Sequence, residues 1–443
     1  MKIIRLSNRK AKMHLTTPGF NADRENIANQ VDFSVLGNHL RPVIEESLKE
    51  CGKNNSRKGT FMTPFFTFYT VLFLCICRDL SQHKVINMLI STFRWLLCSL
   101  PARIIADGAL THARMRLGAS VFRLVFRKIS EKDGILHLPA DFHGHSTVIF
   151  DGTTASMPDT EENRETFGRP SVSGGGAVSR MKTDSAAETA SMPENAENSE
   201  LSGKSATQTG FPQMRIVALL SLSLRKVIGI SYASYIGKGT GERNLMRQIL
   251  MNLKSSTTIL CLLDAGFYAF ELFKDFNSYG HMFIVKAPRN IKLERFKTHD
   301  FSDGSYLATI KKNSSFLVVR VIPYRIRGFR DSKLITNIFD ANITALEFSR
   351  HYHQHWDIEI GFDEIKTHQC AVLKGHAATI FRSKIPELVI QELYAMLIVY
   401  NSVRDMMCEA AEIHNKDPLK LSFSDTFQFI KDAFNYFNTD KGP

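Results

Sequence analysis

Two apolar runs that each close on an aspartate constrain this chain more than any other feature. Ser146-Thr147-Val148-Ile149-Phe150-Asp151, followed by the turn-prone Gly152, reads as a short buried strand ending in a carboxylate. Thr257 to Asp264 repeats the pattern before Ala265-Gly266. Between them, Met214 to Ile236 holds two apolar stretches split by Arg225-Lys226, which predicts a hairpin, and Gly241 to Leu253 carries helical spacing. A helix over about Tyr268 to Phe276 and a strand over His281 to Lys286 complete the order strand, hairpin, helix, strand, helix, strand. That order predicts an α/β sheet with acidic residues at strand ends, where ligands commonly collect.

Helical patterning precedes the sheet. From about Val31 to Ile129, Leu36, Leu40, Ile44 and Leu48 recur every four residues, and Val121, Leu124, Val125 and Phe126 mark a second amphipathic segment. Thr111 to Gly118 sets basic groups before a glycine stop, so this module reads either as a DNA-binding surface or as a cap on the next domain. Residues 171–209 contain eight serines, the triplet Gly174-Gly175-Gly176 and no aromatic residue, and are expected to form a flexible surface loop. Residues 290–340 alternate in the β manner, notably Tyr306 to Ile310, Phe316 to Ile322 and Leu334 to Phe339, which predicts a β-rich insertion. The expected division is a helical domain over 1–140, an α/β domain over 141–383 and a C-terminal helical segment over 384–443.

Lys and Arg number 56 against 44 Asp and Glu, a net charge of +12, which favours a polyanionic partner. The strongest membrane candidate, Phe65 to Cys77, is thirteen residues long and too short to span a bilayer. No long apolar segment follows the basic N-terminus, so a cytoplasmic protein, associated with the bacterial nucleoid when bound to DNA, is expected. The seven cysteines lack CxxC spacing, and Cys75, Cys77, Cys98 and Cys261 lie in apolar runs, as buried thiols do.

A third acidic residue stands out in the run from Tyr352 to Lys366. Thr344-Ala345-Leu346-Glu347 reads as a capping box that opens a helix. If the helix continues, Tyr352, Glu359 and Lys366 recur every seven residues and fall on nearly one line, with His355 one turn from Tyr352. A carboxylate flanked by phosphate-binding groups is what a metal-dependent enzyme acting on nucleic acid needs. His351 and His355 would also share a helix face, but two histidines are only part of a zinc site. Oxygen ligands at Asp151, Asp264 and Glu359 would suit Mg²⁺ or Mn²⁺.

The chain resembles the DDE transposases of the insertion-sequence-four family. The resemblance rests on Asp151-Gly152-Thr153-Thr154, Pro158-Asp159-Thr160 and Asn163, on Phe211 to Arg215, and on Gly241-Glu242. It continues through Asp264 to Tyr268, Leu334 to Asn337, Tyr352 to Lys366, Arg382 to Val389, Gln391 to Leu393 and Tyr400 to Arg404. It implies a ribonuclease H-like mixed sheet, with Asp151, Asp264 and Glu359 as the catalytic and metal-binding triad. Mg²⁺ is then the expected cofactor, with Mn²⁺ as a substitute. The family signature Y-x2-R-x3-E-x6-K implies DNA contacts from Tyr352 and Lys366, with His355 standing where arginine is expected. Histidine offers only two ring nitrogens and is often uncharged near neutral pH, so a weaker grip on phosphate is implied there.

The activity so implied is DNA cleavage at transposon ends and strand transfer into a target by two-metal-ion phosphoryl transfer. Double-stranded DNA, as terminal inverted repeats and as target, is the implied partner, bound by a homodimer. An inactive transposase-derived DNA-binding protein and another ribonuclease H-like nuclease are the alternatives.

Overall fold

In a computed structural model of the chain, the structure describes residue 36 and residues 40–55, 60–91, 108–132, 138–170, 210–253, 258–325, 331–356, 360–362, 364–365 and 380–439. The serine-rich segment 171–209, Cys98, Glu359 and Lys366 lie outside these residues.

Among the described residues five helices come first: α1 (Leu40–Glu50), α2 (Pro64–Ile76), α3 (Gln82–Ser91), α4 (Ala109–Leu117) and α5 (Ala119–Lys132). Helix α2 starts where Thr63 accepts a hydrogen bond from the Phe66 N–H (3.2 Å) and Pro64 presets the first turn. Every residue of α2 after Pro64 is buried, so the apolar run considered as a membrane segment is an interior helix. No helix among the described residues is long and apolar enough to cross a membrane. Helix α4 corrects one expectation: Arg114, counted with a basic surface, is buried and donates to Gln391 Oε1, Ser383 Oγ and the Leu388 carbonyl. Arg116 and His112 are exposed.

The sheet follows, as β1 (Ser146–Ser156), α6 (Glu161–Phe167), β2 (Gln213–Ser221), β3 (Val227–Ser234), α7 (Glu242–Asn252), β4 (Ile259–Leu263), α8 (Phe270–Ser278) and β5 (Met282–Lys286). Strands β6 (Glu294–Asp300), β7 (Tyr306–Lys312), β8 (Ser315–Tyr324) and β9 (Ser332–Thr336) come next. Helices α9 (Ala345–His353), α10 (Pro386–Ile413) and α11 (Phe423–Thr439) end the described chain.

All nine strands form one sheet in the order β3-β2-β1-β4-β5-β9-β8-β7-β6. Strands β1, β2 and β3 pair antiparallel, whereas β4 and β5 run parallel to β1. This is a mixed sheet of the kind that the ribonuclease H-like resemblance implies. The β-rich stretch 290–340 is continuous with it, because β9 pairs antiparallel with β5 and carries the sheet on through β8, β7 and β6.

Strand β1 differs from the sequence reading. Asp151 lies within it and not at its end, and Gly152 continues the ladder opposite Val217 as far as Ser156 opposite Gln213. Gly152 is a close-approach glycine and not a turn: a Cβ there would come within 2.4 Å of Glu242 Cδ at the start of α7. The connection from β1 to β2 is clasped at its base, where Gln213 N–H donates to the Gly168 carbonyl (3.1 Å).

Side-chain alternation divides the sheet into two buried faces. Val148, Phe150, Ile259, Cys261, Leu263, Phe283 and Val285 face α7 and α8. Ile149, Leu260, Leu262 and Ile284 face a core shared with α2, α5, α9 and α10.

Candidate active site

The parallel pairings bring the sequence-predicted carboxylates together. Ile149 pairs with Leu262 across β1 and β4, and the same register carried on by two residues sets Asp151 level with Asp264. Leu263 pairs with Val285 across β4 and β5, so one further residue sets Lys286 level with Asp264. The hydrogen-bonded pairs end at Ile149–Leu262 and Leu263–Val285; continued past them at about 4.8 Å between neighbouring strands, the register gives one short row of the three residues. Their parity matches Ile149, Leu262 and Ile284, which places all three on the face covered by α9 and α10.

Each member of the row has a distinct environment. Asp151 is half-buried, and its Oδ1 accepts a hydrogen bond from the Gly152 N–H (2.7 Å). Asp264 is exposed and stands before a tight turn, Ala265–Phe267, without forming a side-chain cap bond to it. Lys286 is exposed at the end of β5. Two level carboxylates, one of them open to solvent, are the hard oxygen donors that Mg²⁺ and Mn²⁺ take. Among the described residues no group of three His, Cys, Asp or Glu side chains could hold a metal ion, and the third expected ligand, Glu359, lies outside them.

Helix α9 delivers the next side chains. Its capping box is present, with Thr344 Oγ1 accepting from Glu347 N–H (3.3 Å) and Glu347 Oε2 accepting from Thr344 N–H (2.8 Å). The α-helix stops at His353 and tightens into a single turn over Gln354–Trp356; the seven-residue line drawn from the sequence runs on through Glu359 and Lys366, which lie outside the described residues. In such a tight turn residues three apart eclipse one another. His355 accordingly stacks on Tyr352, with ring centroids 5.5 Å apart and planes at 18°.

Tyr352, expected at the DNA surface, is buried and its hydroxyl donates to the Leu263 carbonyl (3.0 Å), one residue before Asp264. Burial, and then the charge of Asp264, push that phenol well above its usual range. His355 holds a buried Nε2 with no hydrogen-bond partner. Burial pushes its pKa down to about 4; Asp264 opposes this and Lys286 adds to it. The ring is therefore neutral near pH 7, and its place beside both Asp264 and Lys286 ties the α9 terminus to the row. His351 is turned elsewhere: its Nε2 lies 2.8 Å from Thr147 Oγ1 and its ring stacks on Phe142 at 4.3 Å. His351 and His355 thus serve different neighbours, which removes the basis for pairing them on zinc.

Lys286 was missed by the sequence reading. The signal was available, because Lys286 closes the third apolar run as Asp151 and Asp264 close the first two. Arg243 is a second addition: its Nε donates to the Gly266 carbonyl (2.9 Å) and holds the turn after Asp264 against α7.

Known proteins share parts of this chain's sequence. The family model described as transposase DDE domain matches residues 142–401, and that described as insertion element 4 transposase N-terminal matches residues 30–127. The transposase InsG for insertion sequence element IS4, from Escherichia coli (strain K12), is 25% identical over 411 residues, covering 88% of this chain and 80% of that protein. The putative transposase InsZ of the same organism is 26% identical over 194 residues, covering 43% of this chain and 53% of its own. A cryo-EM structure of a piggyBac transposase synaptic complex with hairpin DNA aligns with a TM-score of 0.44 at 9% identity, covering 93% of this chain and 85% of that one. The first of these matches spans more than half of the chain, and the protein belongs to the DDE transposase family, enzymes that act on DNA.

Proposed function

We propose that the protein cleaves DNA at the ends of a mobile element and joins the freed 3′ ends to a target, with Asp151, Asp264 and Glu359 as the catalytic carboxylates. The observation that carries this reading is the parallel register of β1, β4 and β5, which, continued past its last pairs, sets Asp151, within β1, beside Asp264 and Lys286. The carboxylates would hold Mg²⁺ or Mn²⁺, which when bound activates the attacking oxygen and stabilises the leaving one.

The remaining chemistry belongs to the chain itself. Lys286 offers a cation to the phosphate that approaches Asp264. Tyr352 fixes the backbone at Leu263 and so the direction in which Asp264 leaves the strand. Lys366, and the net charge of +12, supply further attraction for the DNA backbone. Water and then the 3′ hydroxyl act as nucleophiles, so no covalent protein–DNA intermediate is needed. A homodimer bound to two transposon ends is the assembly in which both ends are processed together.

The test is cleavage and strand transfer on a plasmid carrying the inverted repeats that flank the coding frame, with Mg²⁺ or Mn²⁺. Asp264→Asn and Glu359→Gln should each reduce both steps by at least about a hundredfold, as loss of transition-state charge stabilisation does. Undiminished cleavage by either variant refutes the triad. Cleavage without joining would identify a nuclease, and DNA binding without cleavage by the parent protein would identify a relic.

A further inference from the structure

A band of unneutralised cations leads from the row to the opposite face of the sheet. Lys286 closes β5, and the chain then turns: the Ile291 N–H donates to the Pro288 carbonyl (3.3 Å), which sets Arg289 and Asn290 at an exposed tip. Lys292 follows and is also exposed. The Ala287 N–H donates to the Lys333 carbonyl (2.8 Å), so an exposed lysine of β9 stands beside the same connection. Among the described residues Lys286, Arg289, Lys292 and Lys333 enter no ion pair. Cations farther along the sheet are neutralised, for Lys311 pairs with Glu294 (2.6 Å), Lys312 with Glu271 (3.4 Å) and Arg295 with Asp300 (2.6 Å). The band is thus a local excess of positive charge, whose members repel one another until an anion sits among them.

The band ends at a groove. Tyr268, Ile291 and Ile310 line it together with Lys292, Lys311 and Lys312. Ile310, and the half-buried Tyr268 and Ile291 that pack on the same core, belong to the face covered by α7 and α8. The side chains of the row leave the other face, towards α9 and α10. Tyr268 follows the tight turn after Asp264, and its ring meets that of Phe273 edge-on at 5.1 Å. One wall of the groove is therefore fixed to the chain that follows Asp264, and another to the chain that follows Lys286.

Lysine and arginine on an exposed connection bind phosphate oxygens, which carry no sequence information. Reading bases in the major groove calls for a helix or a two-stranded ribbon that enters it, whereas a turn beside a shallow groove meets the outside of a duplex. This surface therefore suits DNA held by its backbone and not a repeat recognised by its bases. Strand transfer requires such a duplex, because the freed 3′ end and the phosphate it attacks must meet at the row, each on its own DNA. We propose that Lys286, Arg289, Lys292 and Lys333, with the groove beside Tyr268, hold the backbone of the target duplex on the face of the sheet opposite α9. The proposal rests on the reading of the row as the site of strand transfer.

The test uses the full-length protein and two duplexes of equal length, one carrying the terminal inverted repeat and one of unrelated sequence. Arg289→Ala/Lys292→Ala is compared with the parent by fluorescence anisotropy over a salt series, and by cleavage and joining on the plasmid substrate. Loss of two phosphate contacts should make the slope of log K against log salt shallower by about two units for the unrelated duplex, and weaken its binding by about tenfold or more. The preference for the repeat-bearing duplex should rise, cleavage should stay within about twofold of the parent, and joining per cleaved end should fall with the lost affinity. Arg289→Lys/Lys292→Arg keeps both charges and should bind as the parent does. Lys333→Ala, on a separate strand, should change the slope by about one unit and supplies the reading if the double variant does not fold.

An affinity and a salt slope for the unrelated duplex equal to the parent's, in a folded variant, overturn the band. Equal losses for both duplexes, with cleavage falling alongside, overturn the assignment to the target and give the surface to the element's own end. If the parent cleaves no ends, the catalytic reading fails by itself; the anisotropy series still decides the band, because it reads binding without chemistry.

Discussion

Replacing Arg320 by methionine should loosen the approach to α9 by a calculable amount. The Arg320 side chain is fully buried and donates to Ser305 Oγ (2.9 Å), Asp303 Oδ2 (2.8 Å) and the carbonyls of Asp340 (2.6 Å) and Ile343 (2.9 Å). Its guanidinium lies 4.0 Å from the Phe301 ring centroid and 5.1 Å from that of Phe348. Asp303 Oδ2 also accepts from the Ala345 N–H (2.6 Å), so one carboxylate joins β8 to the first residue of α9.

Methionine retains the apolar stem but leaves the Asp303 charge without its cation and strips the Ile343 carbonyl of this donor. Breaking a buried pair in this way costs about 3–5 kcal/mol. At about 1.4 kcal/mol per tenfold, local opening should become more frequent by about two to four decades. Hydrogen exchange followed by mass spectrometry on peptides spanning 300–348 reads that change directly, without requiring the whole chain to unfold in one step. The pH response supplies a second check. Burial opposes the charge on Asp303, but bonds from Ser305 and Ala345 and the charge of Arg320 outweigh it and hold the carboxyl below its ordinary range. The stabilisation is therefore complete above the unfolded value of about 3.9 and is lost as pH falls through the lower folded value. The variant should lose the part of that acid-dependent term that the Arg320 charge supplies, while the bonds from Ser305 and Ala345 keep the rest. An exchange increase below about tenfold, or acid sensitivity equal to that of the parent, would refute the account.

Further predictions concern histidines. Burial, and then His143, push the His351 pKa from 6.5 to about 4, so the folded state favours the neutral ring. Stability should fall as pH drops from 6.5 towards 4, with His351 contributing a slope of up to about 1.4 kcal/mol per pH unit beside that of His355; His351→Gln should make that limb shallower in a pH series of unfolding curves. His355→Arg should tighten binding to transposon-end DNA and steepen the dependence of log K on log salt by about one unit, the signature of one added phosphate contact. Unchanged affinity and salt slope would remove His355 from the DNA-binding set. Tyr352→Phe should destabilise the fold by about 1 kcal/mol, because it removes the hydroxyl bond to the Leu263 carbonyl; a thermal midpoint equal to the parent would count against that bond.

The parts of this architecture that are local were legible in the sequence. Apolar runs ending on Asp151 and Asp264, the hairpin break at Arg225-Lys226 and the capping box at Thr344 are all written within a few residues of where they act. What escaped depends on residues far apart. Gly152 carries the composition of a turn, but its neighbour Val217 on β2 keeps it in the ladder, and Glu242 on α7 supplies the reason for glycine. Tyr352 fits a DNA-contact pattern, yet the carbonyl of Leu263 engages its hydroxyl, and only the packing of α9 on the sheet reveals that. Lys286 closes an apolar run in plain sight, but its place beside Asp264 follows from the register of β4 and β5. Continuation of the sheet from β5 into β9 was hidden in the same way, because a run of strands does not say which edge it will join.

The clasp between Gly168 and Gln213 bears on how this chain can change over evolutionary time. Those residues close the β1–β2 connection before residues 171–209 enter the count, so the sheet is indifferent to what is spliced between them. Each doubling of a connection closed in this way costs only about 0.6 kcal/mol of closure entropy. Length can therefore accumulate or be trimmed there without disturbing the row of Asp151, Asp264 and Lys286. The position is the natural port for a purification tag, a fluorescent reporter or a grafted DNA-binding module.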